Sequence, residues 1–374
     1  MLQNRVRMPP AATDATLHLI NPLRNPYGGS ERRTIETARL LRRVAPVEVW
    51  CARDCAPSLR REAGAQIINP ALMSFPRRGT LVFVGTYFSV GRWIALASPR
   101  RVLVIFKTNQ PLWLRANLAR IAASGCSAEV VYTPIGLRAR HRGVGPVLES
   151  TIDLGRFAFR DPREAPARAF TVGRLSRDDV TKHHAEDPAL YRRLAAAGVR
   201  VRLMGATCIA AELAGVPGIE ILPEGAMPAL AFLRSLDAFI YRTSDTWYEA
   251  FGRVVFEAMA AGVPVACATA GGFAHYLVSG ANALVAPSTD ALVGAVLALR
   301  DDPALAAQLA RRARVDVEAI QRNAERRLLA LMADRSPRAE PAQVRTRASG
   351  AAHAPLDVAT VEPLARKHAL PPGD

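Results

Sequence analysis

The fold of this chain is decided by residues 245–272, DTWYEAFGRVVFEAMAAGVPVACATAGG. The first part has the character of a loop, and the run that begins at Gly252 is typical of a helix. Gly262 and then Pro264 end that helix in the expected order. An apolar strand is predicted over 264–268, followed by a Gly-Gly turn. A helix that leads directly into a buried strand is typical of a protein built on a parallel sheet.

Short apolar runs alternate with helix-like segments along the rest of the chain. The predicted strands are 16–20, 47–51, 65–68, 80–84, 101–106, 129–132, 169–173, 199–204, 219–222, 236–241 and 264–268. The predicted helices include 30–43, 188–197, 228–235, 253–261, 288–300 and 302–332. Strands separated by helices of this length pair in parallel through right-handed crossovers, so the sequence predicts an α/β protein with two Rossmann-like domains.

Length and composition set the expected domain boundaries. A chain of 374 residues is long enough for two domains, and Pro and charged residues concentrate near 156–167. We therefore predict an N-terminal domain over 15–158 and a C-terminal domain over 159–334. Residues 1–14 are predicted to be a flexible N-terminus. Residues 335–374 are rich in Pro, Ala and Arg without periodicity, which predicts a disordered tail.

The net charge of +16 is unevenly distributed. Residues 15–156 hold 21 basic and 8 acidic side chains, whereas residues 157–334 hold 20 of each. The basic half is expected to face an anionic partner or membrane surface. A bias towards arginine, which supplies 46 of the 49 basic residues, is the plainer explanation but leaves the balanced second half unexplained. A nucleic-acid-binding module is the alternative. With 6% aromatic residues and no nucleic-acid motif, no nucleic acid partner is expected.

The N-terminal residues lack the apolar core of a signal peptide. Residues 258–278 carry no charge and are long enough for a membrane span, but Pro and Gly interrupt them, so a span is not predicted. Five scattered cysteines fit neither a disulfide framework nor a paired zinc site. These features predict a cytoplasmic location.

Two carboxylates flank the start of the helix predicted at Gly252. Glu249 precedes that start in a loop, and Glu257 lies about one turn into the helix. A helix start presents backbone N–H groups that attract phosphate. One carboxylate on either side of such a site is suited to the hydroxyls at both ends of a sugar–diphosphate–ribose ligand. Two glutamates eight residues apart are, by themselves, also common on helix surfaces.

The block E-A-F-G-x4-E-A-M-A-x-G-x-P-V, followed by G-G and by SGANALVAP, resembles the E-x7-E signature of family 4 retaining glycosyltransferases, which have the GT-B fold. Further segments are similar to the family's glycine loop, its motif near the hinge and its diphosphate clamp. They are NPYGGSERR at 25–33, ESTIDLGRF at 149–157, and VGRLS at 172–176 with Lys182. The resemblance covers roughly residues 16–330 and implies two facing Rossmann-like domains with a C-terminal helix.

The resemblance also implies an activity. The C-terminal domain would bind a nucleotide-diphosphate sugar, and the N-terminal domain a glycan or lipid-linked acceptor. The sugar would be transferred with retention in cell-envelope polysaccharide or glycolipid synthesis. Contact with the inner face of the membrane through the basic domain is a further expectation. No cofactor or metal is expected. An epimerase-like enzyme of the same fold is the alternative, and it would need acid and base side chains in the cleft.

Carried over to this chain, the resemblance gives each motif residue a role. Glu257 would bind the ribose hydroxyls and Glu249 the transferred sugar. Arg174 and Lys182 would neutralise the diphosphate, and Arg177 would share the role of Lys182 because the segment contains extra residues. The other implied donor contacts are Gly28, Gly29, Phe251, Gly252, Arg253, Glu224 and Gly225. Residues 105–111 lack the family's histidine, and the substitutes offered there are Lys107 and Asn109.

Plainer interpretations of these residues stay open at this point. Gly28 and Gly29 also fit an ordinary turn. Arg174 and Lys182 also fit loop cations that face water.

Overall fold

The computed structural model describes residues 15–87, 90–162 and 169–333 of the chain. The predicted flexible N-terminus and the predicted disordered tail lie outside the described residues. Within them, two six-stranded sheets form, and every strand pair in both sheets is parallel. The α/β class and the two Rossmann-like sheets predicted from the sequence are thereby confirmed.

The first sheet and its helices form the first lobe, in the strand order β3-β2-β1-β4-β5-β6. Its strands are β1 (Leu17–Ile20), β2 (Val47–Cys51), β3 (Ala65–Ile67), β4 (Thr80–Val84), β5 (Arg101–Phe106) and β6 (Glu129–Tyr132). Its helices are α1 (Gly29–Leu41), α2 (Pro57–Ala63), α3 (Ile94–Ala97), α4 (Pro111–Ala123) and α5 (Ile135–Arg140). The central strands β4 and β5 are almost entirely buried, because apolar clusters cover both faces of the sheet.

The second sheet and its helices form the second lobe, in the order β12-β11-β10-β7-β8-β9. Its strands are β7 (Thr171–Leu175), β8 (Arg200–Met204), β9 (Ile219–Leu222), β10 (Ala238–Tyr241), β11 (Val265–Ala268) and β12 (Leu284–Ala286). Its helices are α6 (Asp187–Ala196), α7 (Ala210–Leu213), α8 (Ala229–Arg234), α9 (Arg253–Ala261), α10 (Thr289–Asp301) and α11 (Pro303–Met332). The predicted α9 has the observed bounds, whereas β12 was missed.

The long helix α11 begins in the second lobe and ends in the first. The Asp302 side chain caps its start by accepting hydrogen bonds from Ala304 N and Leu305 N. Near its end, Leu328, Leu331 and Met332 join the apolar core of the first lobe. The last turns of α11 therefore complete the core of the first lobe. The predicted domain boundaries at 158 and 334 stay predictions.

The uncharged stretch 258–278 is divided between the end of α9, β11 and a 3₁₀ helix at Gly272–Tyr276. Among the described residues, no helix combines the length and the apolar character needed to cross a bilayer.

The carboxyl ends of the strands in both sheets meet at one cleft. Loops that follow β1, β4 and β5 line it from the first lobe, and loops that follow β7, β9 and β10 line it from the second. The strand order of an open parallel sheet reverses next to its first strand, and ligands bind in the crevice that forms there. The points at which the two strand orders reverse, between β1 and β4 and between β7 and β10, therefore lie on opposite sides of the same cleft.

Candidate functional site

The cleft between the lobes has a volume of about 690 Å³. All but two of the predicted site residues line it. Those that do are Gly28, Gly29, Lys107, Lys182, Glu224, Gly225, Glu249, Phe251, Gly252, Arg253 and Glu257. The two outside the lining are Arg174 and Asn109. Segments up to 229 residues apart in the sequence therefore converge on one site.

Lys182 and Glu249 form an ion pair inside the cleft. The Lys182 Nζ atom lies 2.5 Å from Glu249 Oε2, and the Tyr241 hydroxyl donates to the same oxygen at 3.0 Å. The ammonium also sits 4.6 Å from the centre of the Trp247 ring. Burial raises the pKa of Glu249, but the charge of Lys182 and both hydrogen bonds outweigh it and hold the pKa below its ordinary value. Burial lowers the pKa of Lys182.

The start of α9 opens into the cleft as a site for an anion. Gly252 precedes the helix in a left-handed conformation, with φ of 70°, and a Cβ atom there would lie 2.8 Å from the Phe273 ring. No side chain of the described residues caps this end. The N–H group of Val255 donates to the Gly252 oxygen at 2.9 Å, so the groups that remain available to a ligand are those of Arg253 and Val254, and the helix dipole favours a negative ligand.

Glu257 lies one turn into α9 and shares Arg253 with a carboxylate of the opposite lobe. Arg253 Nη2 donates to Glu257 Oε1 at 3.1 Å, and both terminal nitrogens donate to Glu36 at 2.9 Å. Burial raises the pKa of Glu257; Arg253 opposes this and the charge of Glu36 adds to it. Sequence reasoning missed Glu36. It lies within α1 in no motif, and Arg253 is 217 residues away.

Loops from the two lobes touch at Tyr27 and Gly225. Gly225 has φ of 75°, and a Cβ atom there would lie 2.1 Å from the Tyr27 ring, so the ring packs directly on the glycine backbone. The neighbouring Glu224 accepts a hydrogen bond from Asp178 N at 3.2 Å through Oε2. Its other oxygen is buried without a hydrogen-bond partner among the described residues. A carboxylate oxygen that only accepts is thus available for an N–H donor of a ligand.

The structure corrects the predicted position of Arg174. Its side chain is 1% exposed and points below the cleft, where it donates to the backbone oxygens of Arg242, at 2.5 Å, and Lys182. Asp187 lies 3.7 Å away and is shared with Arg242, whose Nε donates to it at 2.6 Å. Arg174 therefore holds the loop that carries Lys182. Arg177, which lies between Arg174 and Lys182 in the sequence, does line the cleft.

The two acceptor-side candidates are placed differently. Lys107 lines the cleft at the end of β5. Burial lowers its pKa, with Glu31 opposing this and Arg33 adding to it. Asn109, in contrast, is hydrogen-bonded to His141 Nε2 at 2.9 Å and does not reach the cleft lining. The sequence-based prediction for Asn109 is therefore not supported by its position.

Two parallel-sheet lobes that face each other across such a cleft define the GT-B class of proteins. Residues 225–316 match the family described as Glycosyl transferases group 1. This part of the second lobe is therefore similar to the group 1 glycosyltransferases, and the resemblance predicted from the sequence is confirmed at that level. The assignment to family 4 stays a prediction.

Comparison with known proteins agrees with this class. A glycogen synthase of Mycobacterium tuberculosis is 29% identical over 185 residues, which cover 45% of this chain and 42% of that protein. The match thus spans less than half the length of this relative. The structure of HepE from Anabaena, in complex with UDP and glucose, is similar with a TM-score of 0.64 and 16% identity, over 84% of this chain and 100% of that one. WaaG, a glycosyltransferase involved in lipopolysaccharide biosynthesis, has a TM-score of 0.57 and 13% identity, over 85% and 100%.

Proposed function

We propose that the protein is a retaining glycosyltransferase that moves a sugar from a nucleotide-diphosphate sugar to an acceptor hydroxyl. One observation carries this proposal: the Lys182–Glu249 pair and the Arg253–Glu257 pair lie on either side of an uncapped helix start inside the interlobe cleft. The fold is shared with a protein whose structure holds UDP and glucose, which supports a nucleotide sugar as the donor.

The donor would extend along the cleft with its diphosphate at the start of α9. There the helix N–H groups, Lys182 and Arg177 neutralise its charge, so the chain supplies the positive charge without a metal ion. Glu257 would accept hydrogen bonds from the ribose hydroxyls. Glu249 would contact the transferred sugar, and the base would lie against the loop of Glu224.

In the reaction, the bond between the sugar C1 and the diphosphate oxygen breaks, and the diphosphate keeps the electron pair. The acceptor oxygen forms its bond to C1 on the face that the leaving group vacates, so the configuration is retained. The acceptor proton passes to the departing phosphate oxygen. Lys182 stabilises the charge that develops there, which lowers the barrier. The two lobes exclude water from the cleft and limit donor hydrolysis.

The acceptor would enter from the first lobe, where Lys107 lines the cleft. We propose a glycan or lipid-linked acceptor in cell-envelope synthesis, on the cytoplasmic face of a membrane. The excess of basic side chains over 15–156 supports attraction to anionic lipid. Sedimentation with vesicles of phosphatidylglycerol should fall as salt rises, because salt screens this attraction. Binding that is independent of salt, or equal on neutral vesicles, would contradict the membrane contact.

The donor is identified by screening nucleotide sugars separately in a thermal unfolding assay, since a ligand that binds the native state raises its Tm. The Glu257→Ala variant should lose the shift that the best donor gives to the wild type. Mass spectrometry and NMR of the product then test for a new glycosidic bond and its anomeric configuration. An isomerised nucleotide sugar without acceptor product would show an epimerase instead.

A further inference from the structure

An ion bridge crosses the cleft between the two lobes. Arg253, at the start of α9 in the second lobe, donates to both carboxylate oxygens of Glu36, on α1 of the first lobe, at 2.9 Å each. The same guanidinium donates to the backbone oxygen of Thr151 at 2.8 Å and to Glu257 at 3.1 Å. The side chains of Glu36, Arg253 and Glu257 are 10%, 11% and 12% exposed. These three side chains therefore form an ion-pair cluster that is largely shielded from water.

One arginine therefore serves two carboxylates that belong to different lobes. A guanidinium is a planar fork that matches one carboxylate with two parallel hydrogen bonds. Here the fork is used on Glu36, and Glu257 receives a single hydrogen bond from Arg253 through one oxygen. A carboxylate has about four acceptor positions, so Glu257 keeps most of its capacity for a ligand.

Removing the charge of Glu36 would change how Arg253 distributes its hydrogen bonds between Glu36 and Glu257. Arg253 would then have Glu257 as its nearest carboxylate, and the fork would turn to it and occupy both oxygens. The backbone oxygen of Thr151 holds the guanidinium more weakly than a carboxylate does, because it carries no net charge. Glu36 thus keeps Arg253 from competing with a ligand for Glu257.

We propose that Glu36 is a positioning residue for recognition of the donor's vicinal diol. By holding Arg253 across the cleft, Glu36 leaves Glu257 able to accept from two neighbouring hydroxyls. The same bridge makes diol recognition depend on the lobes being together, because its two ends lie on different lobes. This inference rests on the proposed function, in which Glu257 binds the ribose.

The test compares the binding of ribonucleotides with that of their 2′-deoxy counterparts. UDP, GDP and ADP are titrated separately by calorimetry, and the one that binds best is compared with its 2′-deoxy form. The wild type should prefer the ribose form about tenfold or more, which is typical for a hydrogen bond to a charged group. In Glu36→Gln this preference should fall to about threefold or less, because Arg253 then competes for Glu257.

The double variant Glu36→Gln/Arg253→Met separates positioning from a general effect on folding. With the competitor removed as well, Glu257 should regain its capacity, so the ribose preference should recover towards the wild-type ratio. All titrations are made at pH 8, because loss of Arg253 removes the cation that opposes the raised pKa of Glu257. The matched control is Glu129→Gln. Glu129 receives a similar pair of hydrogen bonds from Arg101, at 2.7 Å each, on the first lobe outside the cleft lining. This control should keep the wild-type preference.

Four results would be decisive. Loss of the preference in Glu36→Gln with recovery in the double variant supports the inference. An unchanged preference in Glu36→Gln overturns it while the proposed function survives. Loss without recovery in the double variant shows that Glu36 acts through the fold, which also overturns the inference. A wild-type protein that binds no nucleotide, or binds without ribose preference, refutes the role of Glu257 and the inference with it.

Discussion

Replacing Lys182 by methionine removes the cation of the Lys182–Glu249 pair and nearly preserves the length of the side chain. The two side chains are 8% and 17% exposed, so Glu249 would remain as a largely buried carboxylate without its counter-charge. Removing one partner of a buried ion pair costs about 3–5 kcal/mol. Because Tyr241 still donates a hydrogen bond to Glu249, we expect a loss at the lower end of this range, about 3 kcal/mol of the free energy of unfolding. Turnover should fall roughly 100- to 1000-fold, as for loss of one preorganised group that stabilises developing charge.

The pH dependence of this loss identifies its cause. In the wild type the pKa of Glu249 lies below its ordinary value, so the ionised carboxylate stabilises the fold above about pH 4.5 and this stabilisation is lost as the pH falls through the lowered pKa. Without Lys182, burial raises the pKa of Glu249 instead, and the ionised form destabilises the fold at neutral pH. Urea unfolding between pH 3 and pH 8 should therefore show a difference between the proteins that is smallest at pH 3 and largest above pH 5.

The control for this experiment is Arg193→Met. Arg193 lies 2.6 Å from Asp290, but the two side chains are 48% and 83% exposed, so the loss should stay below about 1 kcal/mol. A Lys182→Met loss that is equally small, or constant from pH 3 to pH 8, would show that Lys182 is not the counter-charge that keeps Glu249 ionised.

Three further predictions concern other parts of the molecule. Arg174→Leu should lower the free energy of unfolding by about 2–4 kcal/mol in urea, since two buried backbone oxygens lose their charged donor while Asp187 keeps Arg242 as its closest cation; a change below 1 kcal/mol would contradict this. If the buried oxygen of Glu224 accepts from the base, Glu224→Ala should lower the affinity for the nucleotide about tenfold in calorimetry and leave the affinity for ribose 5-diphosphate unchanged. Equal losses for both ligands would contradict that contact. Asp302→Ala should cost about 1 kcal/mol through loss of the cap on α11, measured by thermal unfolding, whereas Asp301→Ala, which removes no cap, should be near neutral.

Much of the fold could be predicted because buried parallel strands are continuous apolar runs. The predicted strands differ from the observed ones by no more than two residues at either end, and the bounds of α9 agree with the Gly-Pro signal that ends it. The strand β12 was missed because it is only three residues long, Leu284–Ala286, and follows a glycine-containing turn. Its position at the sheet edge is set by its pairing with β11, which the local sequence does not encode.

The site was predictable where a motif joins residues close in sequence. Glu249 and Glu257 flank one helix start, and their placement followed from that helix. The direction of the Arg174 side chain did not, because it depends on Asp187 and on the backbone oxygen of Arg242, which follows β10. Glu36 could not be found at all from local sequence, since its role arises only when the two lobes are placed against each other.

Because α11 ends in the first lobe, the core of that lobe is completed only late in synthesis. The first lobe leaves the ribosome first, but Leu328, Leu331 and Met332 of its core are translated only after the whole second sheet. Domains generally fold as units during synthesis. Here part of the apolar core of the first lobe stays exposed until the second lobe has been synthesised. The nascent first lobe therefore depends on residues nearly 200 positions downstream of its last strand to bury that core.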